Sequence, residues 1–160
     1  MSTDQAYYLA QINVARMKAP IDSPIMAEFA DALDDINALA EKSPGFVWRL
    51  KSDTGNATDI RVYEDPKILV NMSVWRSAPQ LKAYVYGSLH NDFFVRRRQW
   101  FERFKGSHFG MWWVRAGHYP TGLEGRQKLE HLTQNGESPE CFTFKQVHPA
   151  PTPSRETVAQ

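Results

Sequence analysis

At 160 residues the chain is long enough to bury one core and too short for two ordinary domains. Its 19 Lys and Arg nearly balance its 18 Asp and Glu, so no global field exists to hold a nucleic acid or an acidic membrane surface. Cys141 is the only cysteine, which excludes an intrachain disulfide and fits a cytoplasmic protein. No basic-then-apolar leader occurs, and no run approaches the ~20 apolar residues of a membrane span.

Residues 1–5 are a polar lead. Tyr7–Val14 alternates, with Tyr8, Ala10, Ile12 and Val14 on one face and Gln11 and Asn13 on the other, which predicts a strand. Ser23-Pro24 supplies a helix start, and Met26, Phe29, Ala30, Leu33, Ile36, Leu39 and Ala40 recur at helical spacing until Pro44-Gly45. The adjacent Asp34 and Asp35 point about 100° apart on such a helix, so they read as a solvated face rather than a carboxylate pair. Phe46–Lys51 alternates again. Asp53–Thr58 is dense turn chemistry, and Ile60–Tyr63 suggests a short edge strand.

Ile68–Trp75 carries the clearest strand pattern in the chain. Ser77–Phe104 then reads as one long aromatic helix, with a kink at Gly87 and a stop at Gly106. Phe109–Arg115 is a further strand. Thr121 and Glu124 form a capping box for a helix that ends at Gly136, and Phe142–Val147 predicts a last short strand. Residues 150–160 are a Pro-rich polar tail with the composition of a disordered segment.

The order β-α-β-β-α-β, plus an appended helix and strand, is that of an α+β ferredoxin-like fold with one antiparallel sheet, in a single domain over residues 6–149. In the Ile68 strand the even positions (Ile68, Val70, Met72, Val74) are uniformly apolar and should pack under the two helices. The odd positions (Leu69, Asn71, Ser73, Trp75) match Gln11 and Asn13 of the first strand and Arg49 and Lys51 of the second. Mixed amides and aromatics are what a ligand cavity wants. A second subunit's sheet would enclose that face, closing a dimeric α/β barrel and predicting a homodimer around a small hydrophobic or aromatic ligand.

The residues with chemistry are few. His90 borders the core stripe of the long helix and is a candidate general base, against the commoner alternative of a half-buried structural histidine. Arg96 falls on the core side of the same helix. A structural salt bridge there is weighed against anion binding, while Arg97 and Arg98 read as surface. Trp112 and Trp113 are adjacent on one strand, so one of them should face the lumen beside Trp75. Asn13, Arg49, Asn71 and Ser73 are the candidate orienting polar groups. The five histidines show no metal-ligand spacing, and no phosphate loop, nucleophile elbow or dinucleotide fingerprint occurs.

The strings LAQINVARMKAP, PGFVWRLKSDTGNATDIRVYEDP, LVNMSVWRSAPQLKAYVYGSLH, FVRRRQWFE and MWWVRAGHYPT resemble a bacterial family known only as a domain of unknown function. That family is grouped with the dimeric α/β-barrel superfamily, near the antibiotic-biosynthesis monooxygenases. The superfamily includes cofactor-free quinone-forming monooxygenases, haem-degrading enzymes and simple ligand binders, and spheroidene monooxygenase, a haem-linked carotenoid ketolase, is similar to the family. The resemblance makes haem a candidate cofactor with His90 at the axial position, and gives Asn13 as a loose counterpart of a catalytic asparagine. It implies a monooxygenase-like oxidoreductase acting on a small hydrophobic or aromatic compound, with a non-catalytic binder of such a compound as the alternative.

Overall fold

A computed structural model describes residues 6–51, 62–87, 95–104 and 106–151. The described chain runs β1 (Tyr7–Met17), a 3-10 turn (Pro24–Met26), α1 (Ala27–Lys42), β2 (Phe46–Arg49), β3 (Ile68–Trp75) and α2 (Ala78–Val85). A second 3-10 turn (Arg97–Gln99) leads to β4 (Phe101–Glu102), β5 (Phe109–Arg115) and α3 (Gly122–Asn135). The strands form one antiparallel sheet in the order β2-β3-β1. Along the other edge of β1, β5 pairs with Tyr7–Asn13 and β4 with Arg16–Met17. This is the ferredoxin-like order, with the two strands of clearest alternation at its centre.

Register decides which side chains share a face. Gln11 lies opposite Ser73, Asn13 opposite Asn71, and Leu9 opposite both Trp75 and Trp113. On β2 the pairing slips between Phe46 and Trp48, so Phe46 pairs with Trp75 while Trp48 pairs with Val74 on the other face. Arg49 then pairs with Ser73 and joins the odd face of β3.

The faces are covered the other way round from the sequence expectation. The even face (Ala10, Ile12, Val14, Val70, Met72, Val74, Trp112, Val114) packs against Leu129 of α3, not against α1 and α2. Gly125 of α3 lies so close that a Cβ there would sit 2.7 Å from Ile12 Cδ1 and 2.9 Å from Met72 Sδ. The odd face carries α1 and α2: Leu9, Trp75 and Met111 pack with Ala40, Leu81, Tyr84 and Phe142. The chain's own α3 thus covers the apolar face, and the amide-bearing face lies on the helix side. The odd face, expected to be enclosed by a second subunit's sheet, carries the chain's own α1 and α2.

The long second helix is also shorter than its aromatic spacing predicts. α2 stops at Val85, and by Phe101 the chain is extended against β1. Trp100, expected on the core stripe of that helix, packs instead with Met17 and Met26 at the far end of β1. The predicted last strand reduces to single bridges, Met111 with Phe142 and Ser138 with Cys141. Helix starts are better matched. Ser77 accepts the amide of Gln80, and Thr121 Oγ1 accepts the amide of Glu124 at 3.1 Å. Ser23 does not cap; its hydroxyl donates to the Pro20 carbonyl. The Asp53–Thr58 turn, Ile60 and Arg61 of the expected edge strand, residues 1–5 and residues 152–160 lie outside the described residues, and Val62 and Tyr63 form a bend rather than a strand. Among the described residues no helix is long and apolar enough to cross a membrane.

Candidate functional site

Two cross-strand pairs at the sheet centre put four polar side chains side by side on the odd face: Gln11 with Ser73 and Asn13 with Asn71. Gln11 and Ser73 are only 4% and 5% exposed, which would be costly without partners. Gln11 Nε2 donates to Ser73 Oγ at 2.7 Å and to Asn71 Oδ1 at 2.8 Å. Trp75 Nε1 donates to the same Ser73 Oγ at 2.8 Å. Asn13 is half-buried and Asn71 exposed, so the row runs from the buried centre of the sheet out to solvent. It lies on the face of the sheet that carries α1 and α2.

The buried end of the row is aromatic. Tyr84 of α2 stacks on Trp75 with ring centroids 5.1 Å apart, and Phe46 meets Trp75 edge-on at 5.5 Å. The Tyr84 hydroxyl donates to the Ile36 carbonyl of α1, tying both helices together above the floor. Burial pushes this phenol up to about 12, with the Arg49 charge pulling the other way, so it stays protonated at any working pH. Arg49 is itself mostly buried and donates to Glu41 Oε2 of α1 at 2.8 Å.

The structure thus brings Asn13, Arg49, Asn71, Ser73 and Trp75 onto one face. It parts the two adjacent tryptophans. Trp112 turns into the even-face core and donates to Glu124 Oε2 at 3.0 Å, while Trp113 lies on the odd face opposite Leu9 and donates to the His148 carbonyl. Arg96 stands apart, its guanidinium bidentate on Glu28 at 2.6 and 2.7 Å and lying 4.8 Å from the Trp100 ring centroid. Arg97 and Arg98 are exposed. His90 lies outside the described residues. Gln11 and Tyr84 were not singled out by sequence reasoning. The signal for Gln11 was present, since it is the one polar position between Leu9 and Ile12, but a lone buried amide looks like packing until its cross-strand partners are known.

Among the described residues no group of three or more His, Cys, Asp or Glu could hold a metal ion. The described polar row and its aromatic neighbours include no imidazole or thiolate either, so they offer haem no axial ligand of those types. Cys141 is fully buried beside Gly110 on the β5 side, and burial pushes its thiol up to about 11, far from a reactive thiolate. A cavity of ≈ 230 Å³ lies on the opposite face at the edge of α3, beside Tyr63, Phe104, Leu129 and Thr133. It is separate from the polar row.

A family model matches residues 8–158, nearly the whole chain. The chain belongs to the family described as Domain of unknown function (DUF3291). No curated protein matches it. Among solved structures, a protein of unknown function from Nitrosomonas europaea is 14% identical, with a TM-score of 0.46, over 74% of this chain and 97% of its own. A putative antibiotic biosynthesis monooxygenase from the same organism is 16% identical, with a TM-score of 0.44, over 76% and 99%. SnoaB, a cofactor-independent oxygenase from Streptomyces nogalater, is 14% identical, with a TM-score of 0.43, over 72% and 97%.

Proposed function

We propose that this DUF3291 protein is a monooxygenase-like oxidoreductase that holds a small aromatic, oxygen-bearing compound in a groove over Gln11, Asn13, Asn71 and Ser73. The observation that carries this reading is the orientation of the amide row. Because Asn71 Oδ1 is taken by Gln11, the Asn71 Nδ2 donor is left for a ligand oxygen. Ser73 Oγ accepts two N–H groups, so its own proton is also left to donate. Donors already oriented by their neighbours stabilise negative charge on a bound oxygen better than freely reorienting water does. A phenol or enol binds there with its proton and reacts with O2 through the small fraction that has lost that proton to water, its electron-rich oxygen then facing the Asn71 and Ser73 donors. One oxygen atom enters the compound and the other leaves as water, both hydrogens coming from the compound itself.

A second reading, a non-catalytic binder, is favoured by a specific observation. No described groove residue is a base near neutrality: the Tyr84 phenol is pushed up to about 12 and Arg49 is ion-paired. Oxygen uptake with a panel of phenols and hydroquinones separates the two. Stoichiometric uptake reduced at least tenfold by Asn71→Ala supports the oxidoreductase, since one charge-assisted donor is worth roughly this much or more. Saturable binding with no uptake establishes the binder.

A further inference from the structure

Gln11 and Ser73 are both more than nine-tenths buried, yet each keeps one hydrogen-bonding atom unused. Gln11 Nε2 spends both protons on Asn71 and Ser73, and its Oε1 receives no donor from the described residues. Ser73 Oγ accepts from Gln11 and Trp75, and its proton finds no acceptor among those residues. His148 Nε2 is the one fully enclosed side-chain nitrogen or oxygen of the described residues that lacks a partner. Both unused atoms lie on the odd face, on the α1–α2 side of the sheet.

The two unused atoms are complementary, one acceptor and one donor, and the 2.7 Å bond between their residues keeps them close. Amide geometry places them no more than about 5 Å apart, a span that one hydroxyl oxygen can bridge at ordinary hydrogen-bond distance from each. A hydroxyl both donates and accepts. An ether or a ketone only accepts, and would leave Gln11 Oε1 facing a second acceptor with its solvation removed. We infer that Gln11 and Ser73 form a hydroxyl-reading pair that selects a phenol or enol over the corresponding methyl ether or ketone. This rests on the groove being the ligand site, and it makes Gln11 a specificity-determining residue.

The test compares 2-naphthol, 2-methoxynaphthalene and naphthalene by calorimetric titration of the full-length protein, with the Gln11 side-chain amide followed by NMR. The expected result is that 2-naphthol binds about tenfold more tightly than 2-methoxynaphthalene, the loss typical of one unsatisfied buried group. Its binding should shift the Gln11 Nε2 protons, and Gln11→Met should erase the difference between the two probes. If the probes bind equally while Trp75 and Asn71 signals move, hydroxyl selection is overturned and the groove stands. If none of the three binds, both are overturned. Should Gln11→Met fail to fold, the wild-type Gln11 amide decides: no shift with 2-naphthol overturns the inference.

Discussion

Two opposed effects meet at Gly125. Alanine in a helix interior is favoured over glycine by about 1 kcal/mol, so on an open helix face Gly125→Ala would stabilise. Here the added methyl would lie 2.7 Å from Ile12 Cδ1 and 2.9 Å from Met72 Sδ, both in a core that is 0–1% exposed. Overpacking of that kind costs about 1–3 kcal/mol, which exceeds the propensity gain. Gly125→Ala is therefore expected to lower stability by roughly 1 kcal/mol in urea denaturation, the net of these two terms. A stabilised variant would mean that α3 stands further from the sheet.

The Cys141 thiol gives a second residue-scale prediction, with its sign set by burial. The ordinary value of 9.0 rises to about 11 in the folded chain, chiefly through loss of solvent and with smaller opposed effects of Lys128 and Glu137. A raised folded value means that the folded state holds the proton where the unfolded state has released it. Its stabilising contribution is complete below pH 9 and is lost as pH rises to 11. Urea midpoints measured from pH 8 to 11 should fall more steeply for the wild type than for Cys141→Ala. The native thiol should stay unreactive to alkylation at pH 8.

At the scale of elements, α3 matters more than its sequence suggests. Only Gly125, Leu129 and Leu132 are buried on it, at a spacing of four and then three residues, so it presents a narrow apolar stripe to a wide apolar sheet face. Its first turn is held twice more: Glu124 accepts from Trp112 Nε1 at 3.0 Å and lies 2.7 Å from His118 Nε2. Leu129→Ala should cost about 2–4 kcal/mol, the range for a buried leucine whose cavity cannot collapse. Leu129→Asp should do more than destabilise. With a carboxylate aimed at Val70 and Met72, α3 should lose hydrogen-exchange protection before β1 and β3 do, and the bared face should self-associate in sedimentation at rising concentration. Uniform loss of protection, with no α3-first opening, would show that the helix and sheet form a single cooperative unit.

The same element shows where sequence reasoning runs short. Alternation in Ile68–Trp75 announced two unlike faces, and the strand appears over the same residues. It could not announce which helices cover which face, because amphipathicity fixes only that something apolar must be there. The apolar even face looked like the natural bed for α1 and α2, yet those helices rest on the aromatic row of the odd face, Leu9, Trp75 and Met111. The long helix failed for a different reason. Helical spacing of aromatics continues past Val85, but backbone pairing of Phe101 and Glu102 with Met17 and Arg16 outweighs it locally. That Gln11, Asn13, Asn71 and Ser73 share a side is unaffected by the exchange of faces, because period two settles it from the sequence alone.

For the molecule as a whole, the pairing of distant segments leaves a signature in acid. Arg16 on β1 reaches Asp65, in the segment before β3, at 2.7 Å and Glu102 on β4 at 2.6 Å, so one guanidinium joins three stretches of chain. Arg96 joins the second 3-10 turn to α1 through Glu28. The Arg16 hydrogen bond, helped by the Lys67 amide, holds the Asp65 carboxyl below its ordinary 3.8, and the Arg96 hydrogen bond holds Glu28 below its ordinary 4.5. Lowered folded values mean that the unfolded chain takes up protons first. The stabilisation is complete above those ordinary values and disappears as pH falls through the lower folded ones. All of these groups are well solvated, so each pair alone is weak, and 1 M salt should screen much of the effect. Melting temperature should hold steady from pH 7 to 5 and drop below about pH 4, where carboxylates of ordinary pKa begin to protonate. Arg16→Met should start from a lower melting temperature at neutral pH and lose less on acidification, because Asp65 would then have no guanidinium partner to lose. Parallel acid profiles for the two proteins would mean that the Arg16 pairs do not hold the three segments together in solution.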